Sequence, residues 1–421
     1  MFLVALAVLL LGVPVAFAFG GVAVAFAFFI PDLGLDVFEI LPFRIYGIMS
    51  NTTLMAVPLF IMMGLILEKS GMAEKLLLNI TALFRSVRGG LAVSVVIVGA
   101  LLAASTGIVS ASVVMMSIIA LPLMLQAGYK KSLSSGVIAA SGTLGQIIPP
   151  SIILIVLGDV MSVSVGELFL GAVLPGLVLV GLYIVYILVY AFFDKNAAPA
   201  LPQEKIDPIA VAKAIIPPFL LMFAVLGTIF SGLASPTESA AFGVAGGLIL
   251  AFLNKKLSID MLSYAINETL KLSGMIFMIL IGATAFSLVF NELGGVDTVL
   301  KFFSEDIGDV WSFIAIAMGA IFVLGFFIDF IEISFIIVPI LVPVMHAFGI
   351  DPIWFGVLIA MNLQTSFLTP PFGLSLFFLK GASSNLVSTT DIYKGIIPFI
   401  LIQIIAIGFV ILFPDLVFAF I

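Results

Sequence analysis

Pro149-Pro150 and Pro370-Pro371 are Pro-Pro steps within long apolar runs of this 421-residue chain, 221 residues apart. Proline removes a backbone N–H and frees the carbonyl four residues earlier, so a helix is expected to kink or break at each step. Sliding the first half onto the second by that interval aligns more. Pro122 falls on Pro343, Gly128 on Gly349 and Ala139 on Ala360. Charge does the opposite: Arg85 and Arg88 fall on Asp306 and Asp309, and Lys130-Lys131 on Asp351-Pro352. Positive residues stay on the cytoplasmic side of a membrane, so the two copies are expected to sit upside down to one another. Apolar segments interrupted at matching positions of inverted halves point to the binding region of a transporter.

Composition leaves no soluble alternative. The chain is 63% hydrophobic and 9% charged, against roughly 25% charged for a soluble domain, and its mean hydropathy is +1.38. At about 20 residues per crossing there is room for on the order of a dozen helices. No polar stretch is long enough to capture a ligand in water by itself. The absence of cysteine excludes disulfides, thiolate metal sites and cysteine nucleophiles. The single histidine leaves no Ser/His/Asp set, and neither a phosphate loop nor HExxH occurs. The chain is not expected to be an enzyme. Without a nucleotide site, the driving force must be an ion gradient or the membrane potential.

Charges set a path. Residues 2–30 are expected to form one outward crossing bent near Pro14, followed by an external connection over 31–50. Residues 52–67 return to a basic stretch with Lys69, Lys75, Arg85 and Arg88. A re-entrant hairpin spans 90–127 and a broken helix 132–157, and 166–193 return. A cytoplasmic linker, 194–211, separates the first repeat, 1–193, from the second, 212–421. There 212–231 and 237–253 cross, 258–271 form an amphipathic surface helix, and 273–291 cross. A second hairpin follows at 310–348 and a second broken helix at 353–379, and 395–414 cross last. All of the 16 Lys and Arg except Arg44 and Lys301 then face the cytoplasm. Trp311 and Trp354 flank the second hairpin, as interfacial tryptophans would. On sequence alone, two ordinary crossings in place of each hairpin stay open.

In lipid, a turn at membrane depth must be buried in protein or line a wet cavity. Its free carbonyls suit a hard cation such as Na⁺, and the N–H groups opening the next half-helix suit a carboxylate. The first hairpin is centred on Ala104-Ser105-Thr106-Gly107 and Ser110-Ala111-Ser112. The second turns near Gly325 to Glu332. Asp329 and Glu332 share one face if helical, and a charge in lipid is usually functional; a tip that reaches water would merely solvate them. In Ser235-Pro236-Thr237-Glu238-Ser239, Glu238 fits a helix start capped by Ser235 or Thr237.

Several segments together resemble the DctM-like large membrane subunit of TRAP (tripartite ATP-independent periplasmic) transporters, over essentially the whole chain. They are Gly12-Val13-Pro14-Val15-Ala16, Arg88-Gly89-Gly90, Gly142-Thr143-Leu144-Gly145 with Ile148-Pro149-Pro150-Ser151, Ser235-Pro236-Thr237-Glu238-Ser239-Ala240-Ala241 and Thr369-Pro370-Pro371-Phe372-Gly373. The resemblance implies an all-α polytopic protein of the bacterial or archaeal inner membrane. Its two inverted repeats, each with a re-entrant hairpin and a broken helix, form an elevator-type ion-transporter fold. It implies Na⁺-coupled import of an organic acid, with a small four-helix membrane subunit and a periplasmic binding protein as partners. A stand-alone ion-coupled carboxylate or anion carrier is the alternative. By resemblance, Na⁺ is assigned to Ser105, Thr106, Gly107, Gly142, Gly145, Asp329, Thr365 and Thr369. Substrate is assigned to Ser110, Pro150, Ser151, Pro371 and Gly373. Asp329-Phe330-Ile331-Glu332 stands where many members have Asp-Pro, and Ser375 where Asn is frequent. These departures are similar to the branch associated with 2-oxo acids, mannitol or chloroaromatic acids.

Overall fold

The computed structural model describes residues 1–30, 33–202, 207–383 and 385–421, with the side chains of 103–106 outside the description. The chain opens with α1 (Phe2–Leu10) and α2 (Val15–Phe29). These do not form the single bent crossing expected from Pro14. The Phe2 ring lies 6.5 Å from that of Phe19, and both meet Phe286. A continuous helix would hold Phe2 and Phe19 about 25 Å apart, so the chain reverses through 11–14. Gly12, at φ +87°, makes the turn, and Pro14 starts α2. The external connection carries α3 (Leu41–Met49), and α4 (Ala56–Lys69) returns. After a 63° bend comes α5 (Met72–Phe84), whose buried Met72, Leu76, Ile80 stripe suits a helix lying along the surface.

The first hairpin is α6 (Gly90–Thr106) and α7 (Val109–Gln126). The first broken helix is α8 (Lys131–Thr143), a tight turn over Leu144–Gln146, an extended break at 147–151, and α9 (Ile152–Val160). At about 20 and 14 Å, neither half can span a bilayer. α10 (Val165–Phe193) returns. The described part of the linker that follows is tied down. Gly89 N–H donates to Ala198 O at 3.0 Å, Lys130 N–H to Ala197 O at 2.9 Å, and Lys130 pairs with Asp194. It straps the bases of α6 and α8 together.

The second half begins with α11 (Pro208–Phe230) and α12 (Pro236–Leu253). Ser235 and Glu238 form a reciprocal capping box at the start of α12. The surface helix and crossing expected at 258–271 and 273–291 are one helix, α13 (Ile259–Glu292). Ser258 caps it, and no proline interrupts it. Then come α14 (Gly295–Lys301), with a π-turn at Phe302–Ile307, and hairpin two, α15 (Val310–Leu324) and α16 (Phe330–Ala347). Asp309 caps α15, and the Ser312 N–H holds its carboxyl below the usual carboxylate range. The second broken helix is α17 (Pro352–Leu368), a break at 369–373 and α18 (Leu374–Ala382). α19 (Thr389–Leu412) and α20 (Asp415–Phe418) end the chain.

Shifted by the repeat interval, α6–α10 fall on α15–α19, and α2 on α12. Gly128 and Gly349 end the second arms of their hairpins with φ of +81° and +63°. The fold-back completes the plan, because α1 becomes the counterpart of the end of α11. Between the hairpins the chain crosses as α8–α9, α10, α11, α12 and α13. That odd number inverts the second hairpin relative to the first.

The halves are exchanged in space. α2 packs on α13 and α12 on α4, while α9 packs on α16 and α18 on α7. Small residues allow the closest approaches: a Cβ at Gly282 would stand 2.3 Å from Ala16 O, and one at Gly395 1.9 Å from Ser132 O. Trp354 is not at a lipid interface as expected. It is 7% exposed, and its indole N–H donates to Val410 O at 2.9 Å; Trp311 remains exposed.

Candidate ion and substrate site

Each break is held open by a serine. Ser151 Oγ–H donates to Gln146 O at 2.7 Å, and Ser375 Oγ–H to Phe367 O at 2.8 Å. Gln146 and Phe367 are repeat mates, so the same freed carbonyl is satisfied in both halves by a serine further along. Both Pro-Pro peptides, Pro149-Pro150 and Pro370-Pro371, are cis. The chain re-enters helix at α9 and α18, and a helix start carries the partial positive charge that draws an anion.

A hairpin tip closes on each break. At hairpin one, a Cβ on Gly107 would lie 2.9 Å from Ile152 Cγ1, at the start of α9. At hairpin two, a Cβ on Gly325 would lie 2.2 Å from Ser366 Oγ, near the end of α17. The Phe327 ring meets that of Phe372 at 5.2 Å. Asp329 caps α16 by accepting the Phe330 N–H at 2.7 Å. Glu332, one turn on, is 7% exposed, and its Oε2 has no partner among the described residues.

The assigned residues divide between the two breaks. Gly107, Gly142 and Gly145 are buried around the first, where Gly142 packs so closely that a Cβ would meet Val113 Cγ2 at 2.4 Å. Ser105 and Thr106 lie outside the described side chains. Thr365 and Thr369 lie at the second, and Asp329 opens α16, whose Phe330 ring stands 6.4 Å from that of Phe367. Thr365 Oγ1–H donates to Met361 O at 2.9 Å and Thr369 Oγ1–H to Thr365 O at 2.8 Å. With their protons so committed, both hydroxyls turn lone pairs outward. These oxygens, together with carboxylate and carbonyl oxygens, fit a hard cation. Of the substrate assignments, Ser110 is half-buried, and Pro150, Ser151 and Gly373 are buried. Pro371 is exposed, and its carbonyl accepts Tyr393 O–H at 3.1 Å.

The centre holds residues that the assignments omit. Gln364 Nε2 reaches Thr143 Oγ1 at 3.4 Å, and the two are 221 apart in sequence. Both amide atoms of Gln146 and the Oε1 of Gln364 are buried without partners among the described residues. The signal for them was available: polar residues beside the breaks, one of them paired with a polar repeat mate. A cavity of about 380 Å³ lies away from this centre, near the outer end of α9, lined by Asn51, Thr53, Asp159, Ser162, Ser164 and Pro236 among others.

The YdaH transporter of Alcanivorax borkumensis, whose crystal structure is described as revealing an unusual topology, has a similar fold. The TM-score is 0.66 at 15% identity, over 97% of this chain and 99% of that one. Inverted repeats, paired hairpins and broken helices thus define a polytopic membrane transporter. The model of the DctM component of tripartite ATP-independent periplasmic transporters matches residues 2–416, and the chain belongs to that family. It is therefore a multi-pass inner-membrane component of a secondary transporter that works with a periplasmic binding protein, and not an enzyme. It is 29% identical to the C4-dicarboxylate large permease protein DctM of Pseudomonas aeruginosa, over 87% of this chain and 85% of that protein. It is 29% identical to the ectoine large permease protein TeaC of Halomonas elongata, over 97% and 95%. The sialic acid large permease protein SiaM of Vibrio cholerae is 27% identical, again over 97% and 95%.

Proposed function

We propose that this chain imports a small organic acid together with Na⁺. A binding protein delivers the substrate at the outer face, and a small four-helix membrane subunit braces the scaffold. The observation that carries the reading is the pair of breaks, each capped by a hairpin tip and lined by hydroxyl and carbonyl oxygens. No Lys or Arg occurs in 90–127, 310–348 or 352–379. A carboxylate there would be balanced by bound cations and the openings of α7, α9, α16 and α18. Na⁺ is assigned to Ser105, Thr106, Gly107, Gly142 and Gly145 at the first break, and to Asp329, Thr365 and Thr369 at the second. The substrate lies between them, near Ser110, Pro150, Ser151, Pro371 and Gly373.

The exchanged packing supports an elevator motion. Hairpins and broken helices lock together as one body beside the α2, α4, α12 and α13 scaffold, so they would move as a unit. Family membership favours the tripartite system over a stand-alone carrier. The relatives' names differ in substrate at nearly equal identity, so similarity does not choose the acid. The departures at Glu332 and Ser375 favour the 2-oxo acid, mannitol or chloroaromatic branch.

The test is thermal stability of the purified chain in matched NaCl and KCl. A ligand of the folded state stabilises by RT ln(1 + [L]/Kd). A saturable rise in Na⁺ alone is expected, weakened by Asp329→Ala and by Thr369→Ala. Unchanged Na⁺ curves in both variants would remove them from the ion sites.

A further inference from the structure

We propose that Thr143 and Gln364 form a relay that couples the two cation sites, an inference resting on the sodium reading above. Repeat mates can touch only where the pseudo-twofold axis runs between them. Thr143 and Gln364 are mates and touch, at 3.4 Å, so they mark that axis. The contact has a defined polarity. Thr143 Oγ1–H donates to Ala140 O at 2.9 Å, leaving a lone pair for the Gln364 amide N–H.

Each member is covalently next to an assigned ion residue. Thr143 follows Gly142, and Gln364 precedes Thr365. Both are 0% exposed, so neither can exchange its partner for bulk water when the backbone beside it shifts. A cation drawing the Thr365 oxygens inward must carry Gln364 with it. Among the described residues, the partner of the Gln364 amide N–H sits on the other break. The surroundings leave room for this shift to matter. Among the described residues Gln364 Oε1 and both amide atoms of Gln146 have no partner, and the Leu144–Gln146 turn packs against α17. The amide can therefore settle in more than one arrangement, which gives the centre the alternatives that coupling requires. Thr143 and Gln364 act here as positioning residues, through the ligands beside them.

The experiment is an equilibrium Na⁺ titration of the purified full chain, followed by intrinsic tryptophan fluorescence and, in parallel, by thermal stability. Two coupled sites give a Hill slope above 1 and at most about 2. In Thr143→Val, which keeps the shape and removes the acceptor, the slope is expected to fall to about 1 while the signal still saturates. Thr143→Ser should restore the steepness, and Gln364→Met should repeat the effect from the other side. A residue important only for packing would lower stability without changing the slope. A slope of about 1 in the unaltered chain, or a steep curve that survives Thr143→Val, overturns the coupling alone. No response to Na⁺ in the unaltered chain overturns the sodium reading, and the coupling with it.

Discussion

Ser366 and Gly325 show how closely one atom can set the site. A Cβ at position 325 would sit 2.2 Å from Ser366 Oγ and 2.9 Å from its Cβ. Gly325→Ala should therefore destabilise the protein by about 1–3 kcal/mol, the usual cost of overpacking. Ser366→Ala removes the nearer atom, so the double variant should recover part of the loss in thermal unfolding. Other residues were assigned by resemblance, and their spacing supplies a local reason for their geometry. Thr365 and Thr369 stand four apart just before a Pro-Pro step, and a threonine hydroxyl on a helix bonds back to the carbonyl four residues earlier. Gln146 and Gln364 were less legible. An amide in an apolar helix reads equally as a wet face, and only the packing shows that its atoms are enclosed without partners.

At the scale of elements, the first crossing is the lesson. Gly12-Val13-Pro14 in an apolar run reads naturally as a kink, because local chemistry allows either a bend or a reversal. Phe2, Phe19 and Phe286 decide for reversal by meeting in one cluster. With the basic loops on the cytoplasmic side, the reversal is expected to put residues 11–14 at the cytoplasmic boundary. A bent crossing would bury them at mid-depth. Since the chain has no cysteine, Leu11→Cys gives a single label site. It is expected to react with a membrane-impermeant maleimide in inside-out vesicles and not in right-side-out ones. α13 teaches the converse. The polar Asp260, Asn267, Glu268 and Lys271 suggested a separate surface helix, but helix formers without a breaker continue, at about 51 Å for 34 residues.

Across the whole molecule, the proposed elevator motion can be tested at one well-placed hydrogen bond between the approach to α4 and the end of α9. Asn51 Oδ1 accepts Thr53 N–H and Leu54 N–H at 2.9 and 3.3 Å, which fixes its amide beside the start of α4. That amide donates to Asp159 Oδ1 at 2.5 Å, at the end of α9 in the hairpin body. If the bodies slide past each other, this contact breaks in every cycle. Asn51→Cys combined with Asp159→Cys should form a crosslink on mild oxidation. Uptake by the reconstituted system should then stop, and reduction should restore it. Uptake unchanged in the fully crosslinked protein would show that the two bodies do not separate there.

The repeat interval, the inversion and the breaks at Pro149-Pro150 and Pro370-Pro371 were present in the sequence. They arise from local causes: proline lacks an N–H, glycine permits tight turns, and cationic side chains stay in the cytoplasm. Those causes act on a few neighbouring residues, so one chain suffices to read them. Tertiary structure alone decided which half packs on which, that α1 folds back, and that Trp354 is enclosed. It also brought Thr143 and Gln364 together on the axis. In an apolar chain nearly every helix face is hydrophobic, so the pattern cannot distinguish lipid from protein as a neighbour. Only shape, through small residues such as Ala16 against Gly282 and Ser132 against Gly395, settles which surfaces meet.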